Sequence, residues 1–171
     1  MFDHLGSIDI SINDFEITKN KLVTTLENWG EEFTVEFEIL VEKVPSADWT
    51  NVFHFTTNGD VQNFGDRIPA LFIHSYGFFY ICSSLGPYPN YCTFYYFTMG
   101  KPYKIAIKQY EEADDEYWFE IIIDGETKFK HRNDQVYSYP SVDLYASDNW
   151  YSSFTDDFGK VTNFRAVDSG R

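Results

Sequence analysis

The stretch FTVEFEILVE, Phe33 to Glu42, decides the fold class. Phe33, Val35, Phe37, Ile39 and Val41 share one parity, and Thr34, Glu36, Glu38 and Glu42 share the other. A period of two is the signature of a strand with one face buried and one face wet. The same alternation recurs outward in both directions. Ile8, Ile10 and Ile12 alternate with Ser7, Asp9 and Ser11. Tyr103, Ile105 and Ile107 alternate with Lys104 and Lys108, and Phe119, Ile121 and Ile123 run into Asp124-Gly125, a two-residue hairpin signal. Lys128 and Lys130 point outward on the return strand, Val142, Leu144 and Ala146 begin a late strand, and KVTNFRAV forms the last. No segment sustains a helical period; in residues 20–28 the β-branched Val23, Thr24 and Thr25 favour a strand. About ten to thirteen strands joined by short turns predict an all-β, two-sheet antiparallel sandwich, because each sheet needs one covered face.

The chain has 171 residues, 43% of them hydrophobic and 20% aromatic, with 17 Phe, 13 Tyr and 4 Trp. That length suits one domain spanning residues 1–171 with a substantial core. The ring content suits pleated surfaces and argues against disorder. A net charge of −14 opposes binding to nucleic acid or to anionic membrane surfaces, and suits solubility, cations, cationic proteins or neutral ligands. No apolar run approaches the roughly 18 residues of a membrane span, so no membrane insertion is expected. The opening MFDHLGSIDI shows neither a basic n-region nor an apolar h-region. This leaves a cytosolic protein or a mature secreted chain as alternatives.

Cys82 and Cys92 lie symmetrically about Pro87 in FFYICSSLGPYPNYCTFYYF, a pattern of two strands around a reversal. A hairpin folded there sets the two cysteines opposite one another, close enough for a disulfide. A bridge implies an oxidising, secreted or extracellular setting, whereas two buried free thiols would suit the cytosol.

The order of EEFTVEFEILVEK, WTNVFHFTT, YKIAIKQY, IIIDGETKF and LYASDNW…GKVTNF resembles the concanavalin A-like jelly rolls, in the branch of laminin G-like and galectin-like lectin domains. The resemblance spans nearly the whole chain and implies a module that binds carbohydrate, protein or calcium, or, in some members, an enzyme that cleaves glycans. The galectin His-x-Asn-x-Arg strand is only partly met by His54 and Asn58, with no arginine to follow. The Glu-x-Asp-x-Glu strand of jelly-roll glucanases is not met by Glu36, Glu38 and Glu42, so the acid and nucleophile pair of a glycosidase is lacking.

Site candidates lie in loops. NGDVQNFGDRIP sets Asp60, Asn63, Asp66 and Arg67 at the mouth of an apolar run. The carboxylates and amide suit a hard cation such as Ca²⁺, and Arg67 suits a polar ligand. Alternatively Asp66 binds its own loop's N–H groups and Arg67 pairs with a neighbour. SDNWYSSFTDD carries Asp148, Asp156 and Asp157 as further oxygen donors. Trp49, Trp150 and Tyr151 either stack on sugars or cap the sandwich, and Trp150 is taken as the ligand contact. Asp60, Asp66, Asp148 and Asp156 are thus the candidate metal donors. His54 and His74 are candidate cross-strand neighbours, too few to hold zinc on their own. Counting strands up and down sets loops 57–66, 85–90 and 111–116 at one end, and 99–101, 124–125 and 147–158 at the other. The expectation is a non-catalytic extracellular recognition module for carbohydrate or an extracellular protein, with Ca²⁺ as the one cofactor considered. The alternative is an acidic structural, matrix or adhesive protein that binds Ca²⁺ or mineral. A glycan-active enzyme comes third.

Overall fold

In the computed structural model, which describes residues 7–169, the alternation of Phe33–Val41 is realised residue for residue. Phe33, Val35, Phe37, Ile39 and Val41 are buried, as are Ile105, Ile107, Phe119, Ile121 and Ile123. The first sheet runs in the order β1 (Ile8–Phe15), β13 (Gly159–Asp168), β3 (Phe33–Val41), β8 (Pro102–Ala113), β9 (Glu116–Ile123), β10 (Glu126–Arg132). The second runs β2 (Leu22–Leu26), β11 (Val142–Tyr145), β4 (Trp49–Thr56), β5 (Ala70–His74), β6 (Phe78–Leu85), β7 (Tyr88–Tyr96). A short β12 (Ser152–Ser153) adds to β4 in parallel, and the other pairings are antiparallel. The result is an all-β jelly-roll sandwich. Among the described residues no helix is long and apolar enough to cross a membrane.

The core between the sheets is largely aromatic. Phe37 meets Phe53 edge-on at 5.2 Å, Phe53 meets Phe164 at 5.5 Å, and Trp29 stacks on Phe55 at 4.7 Å. Offset and edge-on rings of this kind add to the hydrophobic term that area alone supplies. Trp29 is fully buried, and its indole N–H donates to the Ile68 carbonyl at 2.6 Å, which satisfies its one polar atom. At the β9–β10 hairpin both turn residues take positive φ, Asp124 at 51° and Gly125 at 80°, the geometry that matches strand twist in a two-residue loop.

The two sheets differ on their outer faces. The first is ordinary solvated surface, with Glu38 opposite Lys104 and Lys108 opposite Glu120. The second carries three rows of registered residues across β4, β5, β6 and β7. They are Trp49–His74–Phe78–Tyr96, Asn51–Phe72–Tyr80–Phe94 and His54–Ala70–Cys82–Cys92. Strand β4 is buried on both faces from Thr50 to Thr56. One face belongs to the core, and the segment after β11 folds back over the other.

That fold-back corrects the expected placing of the loops. Loops 57–66 and 147–158 do not lie at opposite ends, because Tyr151 hydrogen-bonds Asp60 at 2.6 Å. The chain leaves the first sheet after β10, enters the second as β11, and then crosses the outer face of β4 instead of turning at the rim. The expected neighbours His54 and His74 are also apart. His54 pairs with Ala70 and His74 with Trp49, a separation fixed by the register of β4 on β5.

Candidate functional site

Cys82 and Cys92 are bonded across β6 and β7, directly opposite in register, with Cα atoms 4.1 Å apart. The predicted hairpin bridge is therefore present. It forms one end of the outer face, and Arg67 lies against it, with Nη1 at 3.4 Å from Cys82 Sγ.

Asp66 and Arg67, adjacent in sequence, do different work. Asp66 is buried, and its Oδ2 accepts from the backbone N–H groups of Gln62 at 2.7 Å and Asn63 at 2.8 Å. It is the organiser of its own loop. Gly59 is needed beside it, since a β-carbon there would come within 2.0 Å of Asp66 Oδ1. Arg67 turns the other way, onto the outer face of the second sheet. Its guanidinium sits 4.5 Å from the centre of the Phe72 ring. Nη2 donates to Asp60 Oδ1 and to the Tyr151 hydroxyl, both at 3.0 Å, and Nη1 donates to Asn90 Oδ1 at 3.3 Å. The Tyr151 hydroxyl donates in turn to Asp60 Oδ2 at 2.6 Å. Arg67 is 5% exposed, and its Nε is buried without a partner.

Tyr151 is placed by a second buried pair. His54 and Asp148 are fully buried, with His54 Nδ1 2.7 Å from Asp148 Oδ2. His54 Nε2 lies 2.5 Å from the Asp66 carbonyl, which can only accept, so Nε2 carries a hydrogen. The Nδ1 contact to a carboxylate then holds a further proton between ring and acid. Asp148 Oδ1 accepts from the backbone N–H groups of Trp150 and Tyr151, both at 3.1 Å. This clamp holds the segment against β4 and sets Trp150 near His54, with ring centres 5.5 Å apart. Burial, then the hydrogen bond to Asp60, push the Tyr151 phenol up to about 12, so it stays a neutral donor.

The product is a cleft of about 200 Å³ lined by Trp49, Arg67, Phe72, Tyr80 and Tyr151. Trp49 and Tyr80 stand 4.6 Å apart, and Tyr151 meets Phe72 edge-on at 5.0 Å. The rings continue beyond the cleft. Phe78 stacks on His74 at 4.6 Å and packs against Phe94 at 5.4 Å and Tyr96 at 5.6 Å. Phe94 is 57% exposed and Tyr96 70%. A contiguous exposed apolar patch of this kind marks a binding surface more often than chance.

Of the residues singled out by sequence, Trp49, Arg67 and Tyr151 line this cleft, Asp60 bonds Arg67 and Tyr151, and Asp148 and Trp150 lie against His54 behind it. Asn63 contributes its backbone N–H to Asp66, and Asp66 turns its carboxylate away from Arg67 into its own loop. Asp156 lines a separate, acidic cleft with Asp14, Glu16, Glu42 and Lys160. His54, Asp60 and Asp148 do cluster, with one ligand atom from each within 4.8 Å of the others. In this structure those donor atoms are engaged in hydrogen bonds. Both oxygens of Asp60 serve Arg67 and Tyr151, both nitrogens of His54 are hydrogen-bonded, and a guanidinium already stands at 3.0 Å. Phe72, Phe78, Tyr80, Phe94 and Tyr96 were not singled out. The available signal was that β6 and β7 are aromatic on both parities, more than one buried face requires.

The sequence matches no protein family, and comparison with curated proteins gives no match. Solved structures do resemble the fold. A heptameric SAP-like pentraxin from Limulus polyphemus aligns with a TM-score of 0.54 at 12% identity, over 97% of this chain and 77% of the pentraxin. An endo-β-1,4-glucuronan lyase from the fungus Trichoderma reesei aligns at 0.53 and 13% identity, over 99% of this chain and 83% of the lyase. The receptor-binding domain of botulinum neurotoxin D aligns at 0.56 and 13% identity, over 95% of this chain but 38% of that domain. At such identities the likeness establishes architecture alone, an all-β jelly-roll sandwich like the expected concanavalin A-like fold.

Proposed function

We propose that the protein is a non-catalytic carbohydrate-recognition module, secreted or extracellular, whose ligand lies on the aromatic outer face of β4 to β7. The observation that carries this reading is the registered grid of rings around Trp49, Phe78, Tyr80 and Phe94, beside a cleft floored by Phe72 and edged by Arg67. Sugar rings have an apolar face that packs on aromatic rings and hydroxyls that need polar partners at the edge, and the cleft offers both. The disulfide supports an oxidising compartment. Fold-mates named as a pentraxin, a receptor-binding domain and a lyase are compatible with glycan recognition, though architecture alone selects no ligand.

Two features favour binding over catalysis. The residues that line the cleft include no carboxylate pair for glycoside hydrolysis. Tyr151, the one phenol hydrogen-bonded there, is held protonated with its value pushed to about 12 by burial and Asp60, which makes it a poor general base near neutrality. The reading uses no cation, because the oxygens of Asp60 and Asp148 are already committed.

Affinity electrophoresis against a panel of polysaccharides, followed by calorimetry on those retained, tests the proposal. Phe94→Ala and Tyr96→Ala are the informative variants, since both side chains are exposed and their loss spares the core. Roughly 60 Å² of ring buried at about 25 cal/mol per Å² is worth about 1.5 kcal/mol, so each variant should weaken binding about tenfold. Retention that is indifferent to both variants would place the ligand elsewhere.

A further inference from the structure

We infer that the ligand is a neutral oligosaccharide chain, laid across strands β4 to β7 and anchored at Arg67 through hydroxyl groups, and not an acidic glycan. This rests on the carbohydrate reading above and adds the class of sugar and the way it lies.

The extent of the surface gives the length. The row Trp49–His74–Phe78–Tyr96 crosses four neighbouring strands. Three interstrand steps of about 4.8 Å make a track of roughly 14 Å. That is longer than one pyranose ring, and the cleft at Arg67 occupies only one side of it. A single sugar would leave most of the exposed ring surface at Phe94 and Tyr96 uncovered, whereas a chain would cover it.

The charges give the class. The three rows contain no Asp, Glu, Lys or Arg. Arg67 is the one cation lining the cleft, and Asp60 neutralises it at 3.0 Å. The whole chain carries −14. A polyuronate would therefore meet a locally neutral cleft within a repelling field, and its carboxylate would face the Asp60 carboxylate beside the guanidinium. A hydroxyl suits the place better because it both donates and accepts. Arg67, Tyr151, Asp60 and Asn90 lie within one hydrogen-bonded cluster, which a ligand hydroxyl can join by donating and accepting where a carboxylate can only accept.

The test is a two-arm polymer panel on the full chain. One arm holds neutral β-glucans, mannans and galactans, and the other holds polyglucuronate, polymannuronate and polyguluronate. Oligosaccharides of increasing length from the best polymer follow in calorimetry, at low and high NaCl. The expected result is retention by a neutral polymer, affinity that climbs at least tenfold from monosaccharide to tetrasaccharide, and a Kd that changes less than about twofold with salt, since no screened ion pair forms. Arg67→Ala removes a buried side chain and risks the fold, so Asp60→Asn is the informative variant. It keeps the shape, leaves Arg67 uncompensated, and should let the uronates bind where the wild type does not. Retention of uronates alone by the wild type, weakened steeply by salt, would overturn the neutral class while leaving carbohydrate recognition intact. Affinity that stops rising beyond one sugar would overturn the extended track. Failure to retain any polymer of either arm would remove the carbohydrate reading itself.

Discussion

Replacing Asp148 separates two descriptions of the clamp under the cleft. Asp148 is fully buried, 2.7 Å from His54 Nδ1, and it accepts two backbone N–H groups at 3.1 Å. Asp148→Ala strands all three partners. Breaking a buried pair by deleting one member typically costs about 3–5 kcal/mol, and for a domain of this size that lowers the melting temperature by about 10 °C. Asp148→Asn should behave differently. Its oxygen can still accept from Trp150 and Tyr151, and its NH₂ can donate to His54 Nδ1 once the ring takes the neutral form with hydrogen on Nε2. That hydrogen already serves the Asp66 carbonyl. Every partner is kept with one proton fewer, and exchanging a charged for a neutral hydrogen bond costs about 1 kcal/mol. Urea unfolding gives both stabilities, and ¹⁵N chemical shifts of His54 report the ring form directly. Polysaccharide binding should survive in the Asn variant and fall in the Ala variant, because Tyr151 loses the bonds that hold it over Arg67. Equal costs for the two substitutions, or less than about 1 kcal/mol for Asp148→Ala, would refute the proton count and the positioning role together.

Phe37, 2% exposed between the sheets, should cost about 3–5 kcal/mol when truncated to alanine, read by denaturant unfolding, and a loss below about 1 kcal/mol would contradict its place in the core. Opening the Cys82–Cys92 bridge by Cys92→Ser should cost about 3 kcal/mol on the loop-entropy account, and unchanged stability would mean that the hairpin is held by packing alone. At alkaline pH, burial raises Tyr139 and Tyr151 from 10.0 to about 12 in the folded state. The folded protein therefore holds more protons than the unfolded chain between those values, and the stability these two groups contribute, complete below pH 10, is lost as pH rises toward 12. Phenolate absorbance in Tyr151→Phe should lack one late-titrating group, and a titration identical to wild type would count against it. Millimolar Ca²⁺ should leave the melting temperature unmoved, and a rise of several degrees would show that a cation does find open donors.

The fold was legible because its signal is local and repeated. Each strand of the first sheet declares its buried face by parity, as Phe33–Val41 and Phe119–Ile123 do, and a one-residue slip would expose the whole set. The disulfide was legible for the same reason, since symmetry about Pro87 fixes which residues oppose one another in a hairpin. Loop placement was not, because counting strands up and down assumes that every connection turns at the rim. The segment 146–151 instead runs across the outer face of β4, held there by Asp148. Nothing local distinguishes that aspartate from Asp156 or Asp157, which are exposed.

The candidate site was legible in its members and not in its meaning. Asp60, Arg67 and Trp150 stand out as polar or aromatic residues in unlikely places, but their sequence contexts suggest a cation site in a carboxylate-rich loop. The partner that local context does not reveal is Tyr151, 84 residues from Arg67, whose hydroxyl donates to Asp60 and accepts from the guanidinium. With that contact Asp60 offsets Arg67, and the cleft is polar and ring-walled. The rest of the aromatic face could have been found from parity. Cys82 and Cys92 must share a face to bond, so Tyr80 with Phe94, and Phe78 with Tyr96, lie on that same face by period two. The opposite parity, with Phe79 and Ile81, already fills the core. Rings on the second face therefore have no structural duty inside the sandwich. Keeping such rings half in water favours aggregation at an edge sheet, a liability natural proteins blunt with charge. Here the rows contain no Asp, Glu, Lys or Arg, the arrangement that the proposed neutral, ring-stacking ligand requires.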